Sequence, residues 1–191
     1  MSFLVAGLLL FLGTHLIRVC AASWRSEQIA RMGPNAWRGL YSAFALLGFA
    51  LIVWGYGEAR LMPTMLWVPP VWTRHLAALL TLPAFILLVA AYVPGCRIKA
   101  AIGHPMVAGT KLWALSHLLA NGNLADVLLF GGFLAWAIVV FAAARRRDRE
   151  AGVRYPVGPP SRDAVAVVGG IVAWAVFARF LHEPLIGVQP F

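Results

Sequence analysis

The stretch Phe3–Ala22, FLVAGLLLFLGTHLIRVCAA, is a continuous apolar segment interrupted by one histidine, His15, and one arginine, Arg18. A helix of about 20 mainly apolar residues is long enough to cross the hydrocarbon core of a bilayer. Five stretches of the chain meet this condition, which indicates a polytopic membrane protein. They are Phe3–Ala22, Gly39–Gly57, Leu76–Val93, Leu124–Ala144 and Ala164–Leu181.

A sixth apolar segment, Pro105–Leu119, is shorter and contains Lys111. Its first residue suits the first turn of a helix, and the Asn-Gly pair that follows it is typical of a helix end. The sequence therefore predicts an all-α fold, a polytopic transmembrane helical bundle with about six spans. We expect one membrane domain over residues 1–191.

Composition supports a membrane protein, because 61% of the residues are hydrophobic and only 12% are charged. Soluble domains carry about 25% charged residues. The net charge of +9 comes from basic residues that lie mostly between the apolar segments, so it reports membrane topology and does not indicate nucleic-acid binding. The two cysteines form no CxxCH motif, which excludes the usual covalent attachment of a c-type haem.

The distribution of basic residues predicts the orientation of the chain. With six spans, the linkers 23–38, 94–104 and 145–163 share one side and hold eleven basic residues, whereas the opposite side has only Arg60 and Arg74. The positive-inside rule then places both termini outside the cytoplasm. The N-terminus lacks the basic region of a cleavable signal peptide, so we expect the first segment to remain as a helix.

Two histidines fall near the middle of the predicted membrane. His15 lies about 14 Å from the inner end of its segment and His117 about 18 Å from the inner end of its own, within a core about 30 Å thick. Opposed histidines from different helices are a common way to hold b-type haem. Arg18, one turn from His15, would then contact a propionate. In the alternative interpretation, each histidine hydrogen-bonds a neighbouring helix and Arg18 extends towards the lipid headgroups.

Polar residues also share one face of the sixth segment. His117 lies on the same helical face as Thr110, Trp113 and Asn121, so this stripe is expected to face the bundle interior. Asp126, near the start of the next span, is expected either to pair with Asn121 or to cap the helix start.

Sequence motifs resemble one known family. The run His104-Pro-Met-x-x-Gly-x-x-Leu-Trp-Ala-Leu-x-His117-Leu-x-x-Asn-Gly122 resembles the signature of NnrU proteins, a family of bacterial membrane proteins. The stretch Gly13-Thr-His-Leu-Ile-Arg18 is similar to the family's N-terminal histidine region, and Gly39-Leu-Tyr-Ser also resembles it. The resemblance covers most of the chain and implies the bacterial inner (cytoplasmic) membrane, in which the charge distribution predicts periplasmic termini.

The resemblance also carries expectations about a cofactor. NnrU proteins are associated with denitrification, specifically with nitric oxide and nitrite reduction. The family is similar to the plant 15-cis-zeta-carotene isomerase, a membrane enzyme with axial histidine ligation of haem b and the same His-Pro…Trp…His arrangement. By this resemblance haem b is the expected cofactor and His15 and His117 are the metal ligands, with Arg18, Trp113 and Asn121 beside them.

Three functions remain open on these grounds. The first is a haem b protein that supports nitric oxide or nitrite metabolism. The second is a haem-dependent cis–trans isomerase of a carotenoid or another isoprenoid, so the assignment as an enzyme is open and no catalytic residue is identified. The third is a non-catalytic membrane scaffold or maturation factor. The expected partners are membrane lipid, a nitric oxide or isoprenoid ligand and a membrane protein, without nucleic acid.

Overall fold

The computed structural model describes residues 1–190, and helices form most of it. Within these residues the β structure is limited to one isolated bridge between Met65 and Asn123. The predicted all-α fold is therefore confirmed. The helices are α1 Ser2–Cys20, α2 Ala22–Met32, α3 Pro34–Leu61, α4 Trp72–Tyr92, α5 Arg97–Ile102, α6 Pro105–Ala120, α7 Leu124–Glu150 and α8 Pro160–Val176, followed by a π-helical turn Phe177–Leu181 and α9 His182–Ile186.

Five helical stretches are long and apolar enough to cross a membrane, and each contains or overlaps one of the five long predicted spans. The sixth predicted segment is also helical, but α6 has only 16 residues. At 1.5 Å per residue its length is about 24 Å, which is less than the thickness of a typical hydrocarbon core. The chain is therefore a multi-pass membrane protein, and the predicted position of its termini stays a prediction.

Two of the predicted linkers contain short helices. Linker 23–38 includes most of α2, a largely polar helix that ends at Gly33 with φ of 85°. Linker 94–104 includes α5, whose first two backbone N–H groups donate to the carboxylate of Asp163 in α8. Neither helix is a long apolar run, and the cap of α5 comes from a residue 66 positions later. The hydropathy pattern therefore missed both.

The described chain divides into two compact units. The first comprises residues 1–67 and 122–136, and the second comprises 68–121 and the residues from 137 onward. Helix α7 contributes its first half to one unit and its second half to the other. The expectation of a single membrane domain stays a prediction.

In the first unit, α1 and α3 pack at glycine positions. A Cβ atom at Gly7 would lie 2.6 Å from the backbone nitrogen of Ile52, and one at Gly48 would lie 2.7 Å from a backbone nitrogen of α1. A Cβ at Gly55 would overlap the backbone nitrogen of Leu4. The helices can approach this closely only because these three positions have no side chain, as is typical of helix pairs in membranes.

In the second unit, α6 and α8 pack against α4 at glycine positions in the same way. A Cβ at Gly109 of α6 would lie 2.8 Å from the carbonyl oxygen of Ala84, and one at Gly170 of α8 would lie 2.5 Å from Cα of Ile86. Both contacts are with backbone atoms, which cannot move aside as a flexible side chain can. Helix α4 is thus the element against which α6 and α8 both pack.

We expect Gly55→Ala to lower the stability of the first unit, because the added methyl group overlaps the backbone of α1. Overpacking of this kind costs about 1–3 kcal/mol. The control is Gly57→Ala in the same helix, where a Cβ meets nothing within 4 Å. Thermal unfolding in detergent should give a lower midpoint for Gly55→Ala than for Gly57→Ala, and equal midpoints would contradict the packing described.

Candidate functional site

His15 is fixed by a bond to its own helix. Its Nδ1 lies 2.7 Å from the carbonyl oxygen of Phe11. A carbonyl oxygen can only accept, so Nδ1 carries the hydrogen and, in the neutral ring, Nε2 carries the lone pair. Aromatic rings surround the imidazole, with centroids at 4.3 Å for Phe11, 5.4 Å for Tyr41 and 6.0 Å for Trp136.

The indole of Trp136 adds an unsatisfied donor near this histidine. Its ring stands edge-on to His15 at an interplanar angle of 87°. Its Nε1 is buried and has no hydrogen-bond partner within residues 1–190. Buried donors are nearly always paired in proteins, so this N–H is available to a group bound beside His15.

A cavity of about 280 Å³ opens beside His15. Arg18 lines the same cavity, so the structure brings these two predicted site residues together. Two further arginines, Arg25 and Arg38, also line it. From the sequence, both were expected only to help set the orientation of the chain in the membrane. The remaining lining residues are Thr14, Ile17, Trp37, Tyr41 and Ser42.

His117 is held in the same way as His15. Its Nδ1 lies 2.8 Å from the carbonyl oxygen of Trp113, four residues earlier in α6, and 3.2 Å from Oγ of Ser116. The Trp113 and His117 rings are 5.4 Å apart. The bond to the carbonyl again places the hydrogen on Nδ1 and the lone pair on Nε2.

The other members of the polar stripe on α6 also bond to their own helix. The Thr110 hydroxyl donates to the Met106 carbonyl at 3.1 Å, and the Asn121 amide donates to the His117 carbonyl at 2.8 Å. All four stripe residues are half-buried, and the buried positions of α6 lie on both sides of the stripe. Those buried positions are Pro105, Gly109, Ala114 and Ser116.

His15 belongs to the first unit and His117 to the second. Within the described residues, no group of three or more His, Cys, Asp and Glu side chains is placed to hold a metal ion. Haem iron needs only one or two axial ligands from the protein, so two separate histidines remain suited to it. Their assignment as ligands stays a prediction.

Sequence reasoning missed a second polar cluster, in the second unit. Nε2 of His104 lies 2.8 Å from Oδ2 of Asp148, and the Tyr155 hydroxyl donates to the same oxygen at 2.7 Å. Burial and the adjacent carboxylate raise the pKa of Tyr155 to about 12. Asp148 lies in an arginine-rich run and Tyr155 lies 51 residues after His104, so no local pattern could have connected them.

Asp126 is the centre of a buried cluster in the first unit. Only 3% of its surface is exposed. Its carboxylate accepts a bond from the Tyr56 hydroxyl and two from the backbone and side-chain nitrogens of Asn123, at the start of α7. Its role at the helix start is confirmed, whereas the amide of Asn121 donates to the His117 carbonyl instead. Three donors satisfy a carboxylate that would otherwise be costly to bury.

We expect Tyr155→Phe to destabilise the second unit at neutral pH by about 1 kcal/mol, the usual value of one hydrogen bond. Because the folded-state pKa of Tyr155 is raised to about 12, the folded protein keeps a proton that the unfolded chain loses above about pH 10. Stability should therefore fall from pH 10 to 12 in the wild type, and less steeply in Tyr155→Phe. Thermal midpoints measured across this range test the expectation.

The control for that experiment is Tyr92→Phe, since the Tyr92 side chain is 72% exposed. This variant should follow the wild-type pH curve. A Tyr155→Phe curve parallel to that of the wild type would show that the Asp148 contact does not hold the proton on Tyr155.

The family comparison matches nearly the whole chain. The family described as NnrU protein matches residues 3–190, which include both α1 and α6. Among curated proteins and among solved structures, no match to the chain is found. The family match agrees with the resemblance seen in the run from His104 to Gly122. This multi-pass membrane protein therefore belongs to the NnrU family.

Proposed function

We propose that this NnrU protein binds haem b through His15 and His117 and supports nitric oxide or nitrite metabolism. The observation that carries the proposal is that the two histidines are held by the same bond. Each donates Nδ1–H to the carbonyl oxygen four residues earlier in its own helix. Each therefore has Nε2 as the nitrogen with a lone pair.

This bond is the arrangement that metal-ligating histidines generally require. A carbonyl or carboxylate that accepts the second ring N–H fixes the tautomer, restrains the ring orientation and makes the ligating nitrogen more basic. In His15 and His117 the carbonyl comes from the helix backbone, so no side chain from another helix is needed to set the tautomer. In the neutral ring, Nε2 is then the nitrogen that can ligate a metal.

The surroundings of His15 also fit a haem. Aromatic rings of Phe11, Tyr41 and Trp136 provide an apolar environment, and such rings pack well on a flat macrocycle. The unpaired Nε1 of Trp136 can donate to a bound group. Arg18 lines the neighbouring cavity and offers a cation of the kind that pairs with a carboxylate.

The residues of the chain would bind, orient and shield the group. His15 and His117 supply imidazole nitrogens, and the aromatic side chains beside His15 limit access of water to it. Trp113 packs against the ring of His117 and restrains it. Haem b, when bound, supplies an iron centre that takes up nitric oxide and exchanges single electrons.

The haem assignment is tested by the absorption spectrum of detergent-purified protein from haem-replete cells, oxidised and then reduced with dithionite. We expect a Soret band with sharp reduced α and β bands. His15→Ala and His117→Ala should each lower haem occupancy by about tenfold or more, since loss of even a supporting residue costs that much in metal sites. The control is His75→Ala, because His75 is exposed on α4.

Full haem occupancy in both the His15→Ala and the His117→Ala variants would overturn the assignment. A featureless visible spectrum from well-folded wild-type protein would overturn it as well. Titration of the reduced protein with nitric oxide then asks whether the spectrum changes as expected for a nitrosyl complex.

The metabolic role needs a separate experiment in a host that carries this protein. Under denitrifying conditions, a strain without it should consume nitrite and nitric oxide more slowly, and the wild-type chain should restore the rate while His15→Ala should not. Unchanged consumption in the deletion strain would remove the metabolic role and leave haem binding to be judged on the spectra alone.

A further inference from the structure

Three arginines from three different helices line one cavity in the first unit. Arg18 lies in the last turn of α1, Arg25 in the first turn of α2 and Arg38 near the start of α3. None of the residues that line the cavity is acidic. The cavity therefore has three positive charges and no carboxylate in its wall.

These charges are not neutralised elsewhere in the described residues. The salt bridges found in residues 1–190 do not include Arg18, Arg25 or Arg38. Arg25 does contact an aromatic ring, because its guanidinium lies 6.0 Å from the ring centre of Trp37. The guanidinium group is a strong partner for anions, so each of these side chains offers a positive charge to an anion in the cavity.

The location of the cavity indicates what kind of anion reaches it. Helices α1 and α3 are both long enough to span a membrane, and the cavity lies where α1 ends and α3 begins. On the helices that form it, Leu40 and Phe44 of α3 are 45% and 44% exposed, and Trp24 of α2 is 48% exposed. An anion with an apolar body matches this combination of arginines and exposed apolar side chains.

The size of the cavity suits a lipid headgroup. Sites that enclose a drug-sized molecule have volumes of about 300–1,000 Å³, and this cavity is about 280 Å³. A phosphate with part of its glycerol fits such a volume. Guanidinium groups are also well matched to phosphate, since each can donate two parallel hydrogen bonds to its oxygens.

We propose that this cavity binds the phosphate group of an anionic membrane lipid, with Arg18, Arg25 and Arg38 as its ligands. The acyl chains lie along the exposed apolar surface of α3. A zwitterionic headgroup is disfavoured, because its own cation meets three positive charges. This site shares Arg18 with the proposed haem site and lies beside His15, but the lipid contacts of Arg25 and Arg38 go beyond the haem function.

The test measures binding of short-chain lipids to the full chain in detergent, by native mass spectrometry. Dioctanoyl phosphatidic acid should bind at least about tenfold more tightly than dioctanoyl phosphatidylcholine, which corresponds to about 1.4 kcal/mol. The variant with Arg25→Gln and Arg38→Gln should lose that preference. Arg31→Gln is the matched control, because Arg31 is exposed on α2 and does not line the cavity.

A conservative variant guards against misfolding of the double variant. Arg25→Lys keeps the charge but cannot donate in a bidentate manner, so it should weaken binding of phosphatidic acid while the preference over phosphatidylcholine remains. Equal affinity of the wild type for the two lipids would overturn the proposal. The proposal would also be overturned if Arg31→Gln reduced the preference for phosphatidic acid as much as the double variant does. That result would show that the lipid is attracted by the basic surface as a whole and not by the cavity.

Two competitors distinguish other sources of the anion. Inorganic phosphate that binds as tightly as phosphatidic acid would show a site for a soluble anion and overturn the lipid assignment. Haem that displaces phosphatidic acid from wild-type protein would show that Arg25 and Arg38 hold propionates together with Arg18, and would overturn the lipid assignment. We expect neither competitor to displace the lipid at equimolar concentration.

Discussion

Contact between helix backbones at glycine is the constraint on which both units depend. In a bilayer, apolar side chains gain nothing by leaving lipid for one another, so helices associate through close van der Waals contact. Gly7 provides that contact for α1, and Gly109 provides it for α6. In each helix a histidine follows the contact glycine by eight residues, which is about 80° around the axis. His15 and His117 are thus placed beside the packed face and remain half-buried.

Local hydrogen bonding explains how polar side chains are accommodated in these helices. Thr14 and His15 in α1, Thr110 and His117 in α6, and Asn121 directly after α6 each bond to a carbonyl oxygen four residues earlier. In the absence of water, an unsatisfied polar group costs several kcal/mol, and the helix's own carbonyl is the nearest acceptor. For the two histidines this bond also determines that, in the neutral ring, Nε2 carries the lone pair. The bond that satisfies Nδ1–H therefore leaves Nε2 as the nitrogen suited to bind a metal.

Basic residues between the spans have more than one structural role. In the linker 145–163, Arg146, Arg149, Arg154 and Arg162 are exposed. Arg25 and Arg38 instead join Arg18 around a cavity. In the second unit, Arg145 lies near a carboxylate that contacts His104 and Tyr155, and it donates to the carbonyl of Ile102.

The sequence by itself determined the helical class, the long apolar helices, the NnrU family and the closeness of His15 to Arg18. Each of these depends on residues within one segment, because apolar length, periodicity and a motif are properties of adjacent positions. Tertiary structure alone decided that Arg25 and Arg38 join Arg18, that Asp163 caps α5 and that Asp148 links His104 to Tyr155. These contacts join residues from different helices or loops, so they depend on how those elements pack and not on any local pattern.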